Sequence, residues 1–359
     1  MYIAARFHKL FRNMHPNGNA LPAFVGSGVM LGMLLFKPQL YKEQKRKYNN
    51  YCEQMADSEK RRVPWSVYVG CRMIYGTDLA DFYCYDYPNL SDAERRTFVT
   101  DIGRQDYYEA FNHSRAGQEL FANKYLTYMR YRPYYQRDII MYRGEESLDD
   151  LAVFLTSHPR FMIKPLNKYM GKGIAVLDSR GEKEETLQRI KDASPCVLEE
   201  LIIQSSTMKK LHPGSVNTVR VPTFRGKDGI QLVMPFLRVG VGDSVVDNAG
   251  AGGILVAVDP ETGITISAGR NELGYVFDNH PDTCQPLYGI QLPDWENLKR
   301  IIGKLMMIEP DTRYVGWDLA HTDNGWVVVE GNDVGQFVGQ IPLGKGCKEI
   351  VDQILTEIQ

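Results

Sequence analysis

The stretch Tyr314 to Asp333, YVGWDLAHTDNGWVVVEGND, constrains the fold more than any other. VGWDLAH and WVVVEGN are apolar, strand-forming runs joined by Thr322-Asp323-Asn324-Gly325. The Asn-Gly step supplies the positive φ that a tight hairpin needs and sets the two strands antiparallel. Because side chains alternate at period two, Glu330 and Asn332 point to one face, and a hairpin register can bring Asp318 beside them. Two carboxylates and one amide carbonyl are hard oxygen ligands of the kind that hold Mg²⁺ shared with nucleotide phosphates. Standing alone, the same residues equally describe a surface hairpin with solvated acids at its edge.

Two further stretches favour the metal reading. Phe161 to Leu177, FMIKPLNKYMGKGIAVL, reads as an apolar strand ending in Lys164-Pro165, a loop with Lys172 between Gly171 and Gly173, and a returning strand. Glycine lets backbone N–H groups approach phosphate oxygens, and Lys168 or Lys172 adds a point charge. Pro195 to Gln204, PCVLEELIIQ, is an apolar run interrupted by Glu199 and Glu200. Such a segment can face an adenine with its backbone and a ribose with a carboxylate; alone, it is more simply a buried strand with an exposed edge. Arg220 in NTVRV, taken by itself, is an exposed strand arginine.

The order of these features (basic strand end, glycine-rich loop, apolar strand with Glu199 and Glu200, Arg220, then Asp318 and Glu330-x-Asn332) resembles the ATP-grasp superfamily over roughly residues 80 to 355. Within it the chain is most similar to the sugar-transfer-associated ATP-grasp group, through DFYCYDYPNLSDAERRTFVTD, NKYLTYMRYRP, SVNTVRVPTF and VVDNAGAGGILVAVDPETG. The resemblance implies an α+β fold whose two subdomains clamp ATP, at 116–200 and 201–359, behind a mainly helical region at 1–115. It also implies roles. Lys124 and Lys164 contact the polyphosphate, with Lys172 in the covering loop. Glu199, Glu200, Leu201 and Ile202 form the hinge that reads adenine and ribose, with Gln204 a further candidate for the ribose. Arg220 faces the γ-phosphate and the acyl phosphate that forms from it, where a planar guanidinium suits an oxyanion. Asp318, Glu330 and Asn332 hold Mg²⁺, with Glu330 bridging two ions. Asn248 and Gly250, Gly252 and Gly253 shape the acceptor side, or form a structural turn.

Composition sets limits. A chain of 359 residues with 43% hydrophobic content buries a substantial core, in two or three domain-sized units. A net charge of −2 argues against general nucleic-acid binding, which needs a basic footprint. The six cysteines form no CxxC pair, so reduced thiols in the cytoplasm are the simplest reading. No HExxH, GxSxG elbow, GxxxxGK[ST] or GxGxxG is present, which removes zinc hydrolases, P-loop kinases and dinucleotide dehydrogenases.

Ala20 to Phe36, ALPAFVGSGVMLGMLLF, carries no charge and precedes a basic run at Lys37, Lys42, Lys45, Arg46 and Lys47. It is at the short end of a membrane span, and Pro22 and three glycines disfavour a spanning helix. A buried or oligomer-facing helix is preferred, then a membrane-surface anchor on anionic lipid, then a true span. Ser91-Asp92-Ala93-Glu94 reads as a capping box opening a helix. The function implied is an ATP-dependent ligase that activates a carboxylate as an acyl phosphate and joins it to an amine, with an amino acid or amino sugar among the substrates and surface-polysaccharide synthesis as the setting. A phosphotransferase on the same scaffold and a non-catalytic nucleotide-binding partner protein are the alternatives.

Overall fold

The computed structural model describes residues 2–166, 173–181, 183–244, 247 and 252–359. Lys168, Lys172, Asn248 and Gly250 lie outside the described residues. The chain is α+β, with an ATP-grasp arrangement of two antiparallel sheets. In chain order the strands are β1 (Ile139–Tyr142), β2 (Arg160–Pro165), β3 (Ala175–Asp178), β4 (Cys196–Glu200), β5 (Thr218–Arg225), β6 (Ile230–Leu232), β7 (Phe236–Val239), β8 (Ile254–Ala257), β9 (Gly269–Arg270), β10 (Val276–Phe277), β11 (Tyr314–Thr322) and β12 (Gly325–Asn332).

The small sheet has the order β1-β4-β2-β3, and the large one β10-β9-β8-β7-β5-β11-β12, with β6 on β5. Each small-sheet strand buries one face on the helices Leu148–Ser157 and Lys183–Asp192, where Phe154, Phe161, Ile163 and Leu198 share a core. The other face looks toward the large sheet. The strands expected around Lys164 and around Glu199 are β2 and β4, paired antiparallel with Ile163 opposite Leu198.

The large sheet is covered by the helices Lys124–Tyr135 and Trp295–Ile308, whose Tyr128, Tyr131, Leu298 and Ile302 pack with Trp317 and Val328. The helices before β1, counted with the small subdomain in the sequence reading, thus contribute to the core of the large sheet. The hairpin at 322–325 closes with Thr322 opposite Gly325, and Gly325 alone carries the positive φ, at +101°.

Among the described residues, every regular element before β1 is a helix. The capping box is present: Ser91 accepts from the Glu94 N–H, and the Glu94 carboxylate accepts from the Ser91 N–H. Ala20–Phe36 is one continuous helix, with Pro22 in the first turn, where a missing N–H costs no internal bond. It crosses the helix Trp65–Tyr75 at backbone contact, and this pair, with Tyr48, Phe82 and Tyr87, forms a core that joins the large sheet through Phe236 and Leu255. No helix among the described residues is long and apolar enough to cross a membrane.

Candidate active site between the sheets

The site centres on one cross-strand row. Arg220 on β5 pairs with Asp318 on β11, which pairs with Glu330 on β12. Residues directly opposite in antiparallel strands share a face, so all three side chains emerge together. Asn332, two residues beyond Glu330, shares that face and donates its amide N–H to the Glu330 Oε1 at 3.2 Å.

A β-bulge makes this row. From the turn to Leu319 the hairpin register is regular, with Leu319 opposite Val328. Continued, it would place Val329 opposite Asp318 and turn Glu330 toward the core face beside Trp317. One extra residue in β12 shifts the pairing, so that Asp318 faces Glu330 and Trp317 faces Gly331. Gly331 is required there: a Cβ would lie 2.7 Å from the Trp317 ring and 2.9 Å from Phe121.

Asp318 is fully buried and meets two guanidinium groups. Arg220 donates through Nε to one carboxylate oxygen and through Nη2 to the other at 2.7 Å, while Arg238 Nη1 lies 3.3 Å away. Arg238 is held in turn by Asp247 at 3.0 Å. Burial alone would push the Asp318 carboxyl up, but the Arg220 and Arg238 cations outweigh it and hold it below the ordinary value. The donor set fits Mg²⁺. Two facing carboxylates and an amide oxygen are the ligands a hard cation takes, and the half-buried Glu330 adds a second carboxylate beside the buried one that Arg220 and Arg238 already pair.

Across the cleft, the Lys164 ammonium donates to Glu199 Oε2 at 2.8 Å, and Arg137 Nη2 donates to the same oxygen at 3.0 Å. Arg137 also donates to the Val328 and Val329 carbonyls at 2.6 and 3.3 Å, tying the small sheet to β12. Burial of Glu199 opposes its ionisation, and Lys164 and Arg137 reverse that, leaving its carboxyl lowered. Glu199 is therefore committed to positioning Lys164. The Gln204 amide is likewise spent, donating to the His212 and Ser215 carbonyls and accepting from Asn217. Glu200, half-buried, accepts from the Asp138 N–H at 3.0 Å and keeps a place on the cleft wall with Leu201 and Ile202.

Lys164, Glu199, Glu200, Gln204, Arg220, Arg238, Asp318, Glu330 and Asn332 line one cavity of about 1180 Å³. Lys124, the first residue of the helix Lys124–Tyr135, lines it as well. Alternate residues of β2, Arg160, Met162 and Lys164, face it together with Val176 of β3, giving an apolar patch beside a lysine. The cavity continues past Arg220 and Arg238 to a wall of Asp78, Asp81, Arg104, Tyr108 and Glu272. Sequence reasoning missed Arg137 and Arg238, which lie in no motif, and this wall, of which Asp81 opens the motif DFYCYDYPNLSDAERRTFVTD without its spacing marking it as a site residue. Only the alternation in FLRVG marks Arg238 as facing away from the apolar side of its strand.

A model of the sugar-transfer-associated ATP-grasp family matches residues 103–356. This chain belongs to that family. No curated protein matches it. Among solved structures, this ATP-grasp protein is similar to a D-alanine-D-alanine ligase from Helicobacter pylori, at 16% identity, over 67% of this chain and 62% of that one, with a TM-score of 0.41. It is also similar to the ATP-grasp ligase PsnB complexed with precursor peptide PsnA2 and AMPPNP, at 15% identity over 80% and 75% with a TM-score of 0.42. A third likeness is to the ADP complex of purK, N5-carboxyaminoimidazole ribonucleotide synthetase, at 13% over 61% and 46% with a TM-score of 0.40. The chain thus spans less than two thirds of the Helicobacter ligase.

The acidic wall gives this site a pH signature. Burial first, then the neighbouring Asp78 charge, push the Asp81 carboxyl well above its ordinary 3.8. The folded protein then binds a proton that the unfolded chain has released, so stability falls as pH rises from 3.8 through the raised value. Asp81→Asn is expected to raise Tm by about 2 °C or more at about pH 8 and to change it little at about pH 4, read by thermal melts.

Proposed function

We propose that this protein is an ATP-dependent carboxylate–amine ligase working through an acyl phosphate. The observation that carries the reading is the Arg220–Asp318–Glu330 row facing Lys164 across a single cavity. A cleft with cations on one wall and an oxygen donor set on the other is built to hold a polyphosphate and to stabilise charge as it moves off the γ-phosphoryl group.

In this reading adenine lies on Met162 and Val176 against the Leu201 and Ile202 backbone, and Glu200 takes the ribose. Lys124 and Lys164 hold the α- and β-phosphates, with Glu199 and Arg137 fixing the Lys164 ammonium. Asp318, Glu330 and Asn332 would hold Mg²⁺, in one or two ions, and bound there it would neutralise the triphosphate and orient the transferring group. The substrate carboxylate oxygen attacks the γ-phosphorus as its bond to the ADP oxygen breaks. Arg220 spans the resulting acyl phosphate. The amine nitrogen then adds to the acyl carbon, phosphate departs, and the amine proton leaves with it. The second substrate enters along the Asp78, Asp81 and Glu272 wall, whose carboxylates suit an ammonium-bearing compound such as an amino acid or amino sugar.

The test is ADP release from Mg²⁺-ATP over a pool of amino acids, small acids and amino sugars, with and without hydroxylamine, beside Glu330→Gln. The expected result is ADP with a hydroxamate, both reduced on the order of 10²-fold or more in the variant. ADP with a stable phosphorylated product and no hydroxamate would replace the ligase with a phosphotransferase. Unchanged ADP formation in folded Glu330→Gln would remove Glu330 from the site.

A further inference from the structure

The first 47 residues carry eight Lys and Arg and one acidic residue, Glu43, for a net charge of +7, while the chain as a whole carries −2, so the remainder sums to −9. Even Glu43 is paired, 2.7 Å from Lys47. Within this segment the helix Ala20–Phe36 has two unlike faces. Pro22, Val25 and Gly26 are buried against the helix Trp65–Tyr75. The opposite stripe runs Phe24, Gly28, Leu31 and Leu35 at helical spacing, flanked by Leu34 and Phe36. Phe24 is 78%, Leu35 65% and Phe36 83% exposed. The polar side chain on this stripe, Ser27, donates its hydroxyl back to the Ala23 carbonyl at 2.8 Å.

The stripe ends at Lys37, and exposed Lys42, Lys45 and Arg46 follow on the next helix, Pro38–Gln54. Exposed Leu10 sits between exposed Lys9 and Arg12 at the end of the first helix. Apolar residues thus emerge beside cations at both places.

We propose that this helical segment docks the protein on an anionic membrane surface, with the Phe24–Leu31–Leu35 stripe entering the headgroup boundary and the flanking Lys and Arg meeting lipid phosphates. Charge decides the occupant. A symmetric contact with a second copy would set the same patch against itself, bringing two +7 segments together; an anionic surface does the opposite. At seventeen residues, with the Pro22, Val25 and Gly26 face packed on the Trp65–Tyr75 helix, the Ala20–Phe36 helix lies on a bilayer and does not cross one. The inference stands apart from the ligase reading.

The experiment is flotation of the full-length protein with phosphatidylcholine vesicles, with and without phosphatidylglycerol. Wild type is expected to float with the anionic vesicles and to dissociate at high salt. The variants are Leu35→Asn with Phe36→Ser, and Lys45→Glu with Arg46→Glu. Each pair is expected to weaken partitioning by about tenfold or more, with the thermal melt unchanged. Equal binding to neutral vesicles, or no flotation with either, overturns the proposal. So does a wild-type dimer in sedimentation velocity that Leu35→Asn with Phe36→Ser converts to monomer, which would assign the stripe to a second copy.

Discussion

Asp318→Asn is expected to lower stability by about 3–5 kcal/mol and to abolish ADP formation. Asp318 is fully buried, and its two oxygens are the acceptors for Arg220 and, with Asp247, for Arg238. An amide there removes the negative charge and turns an N–H toward a guanidinium, which leaves a buried cation uncompensated. Removing one partner of such a pair costs much more than replacing both. The double variant Arg220→Met with Asp318→Leu is therefore expected to regain part of the lost stability in denaturant melts, while activity stays absent. Equal Tm in the single and double variants would mean that the uncompensated guanidinium is not the source of the lost stability. Recovered activity in the double variant would remove both residues from the chemistry.

Gly70→Val is expected to cost about 3 kcal/mol or more and to open the N-terminal helical core. A Cβ on Gly70 would lie 1.8 Å from the Pro22 carbonyl oxygen, and one on Gly26 would lie 1.8 Å from that of Ser66. Both obstacles are backbone, so no rotamer change relieves them and the helices must separate. Gly28 and Gly32, on the same helix, have open space where a Cβ would go. Gly28→Ala and Gly32→Ala are expected to be neutral or to stabilise by up to about 1 kcal/mol, since helical glycine forfeits backbone entropy. Similar losses for Gly70→Val and Gly28→Ala in a urea titration would contradict the close crossing.

Much of this was legible because it depends on local periodicity. The Phe161 to Leu177 stretch gave β2 and β3, and Ser91-x-x-Glu94 gave a capping box. In each, the signal lies within a few residues of the structure it specifies. Order along the chain gave the family, since the motifs, individually weak, are co-linear with its pattern.

What alternation could not give was the register at Glu330. Read strictly from the Asp323-Asn324 turn, period two turns Glu330 to the core and pairs Asp318 with Val329. The bulge reverses that, and the Trp317 ring it sets opposite Gly331 fills the space where a Cβ would go. Glu199 is a second case. As a sequence it is one of two adjacent acids on a strand; only the convergence of Lys164 on β2 and Arg137 ahead of β1 makes it the group that fixes the Lys164 ammonium.

The sequence by itself determined the strands, the hairpin, the helical front end and the kinds of atom the site contains. It also determined the separation of charge between the first 47 residues and the rest. The tertiary structure alone decided which carboxylates face each other, which are spent on arginine, and that the N-terminal helices wall the far end of the cavity. The reason is physical: periodicity and propensity act over a few residues, whereas burial, ion pairing and pKa depend on groups far apart in the chain, such as Arg220 and Asp318.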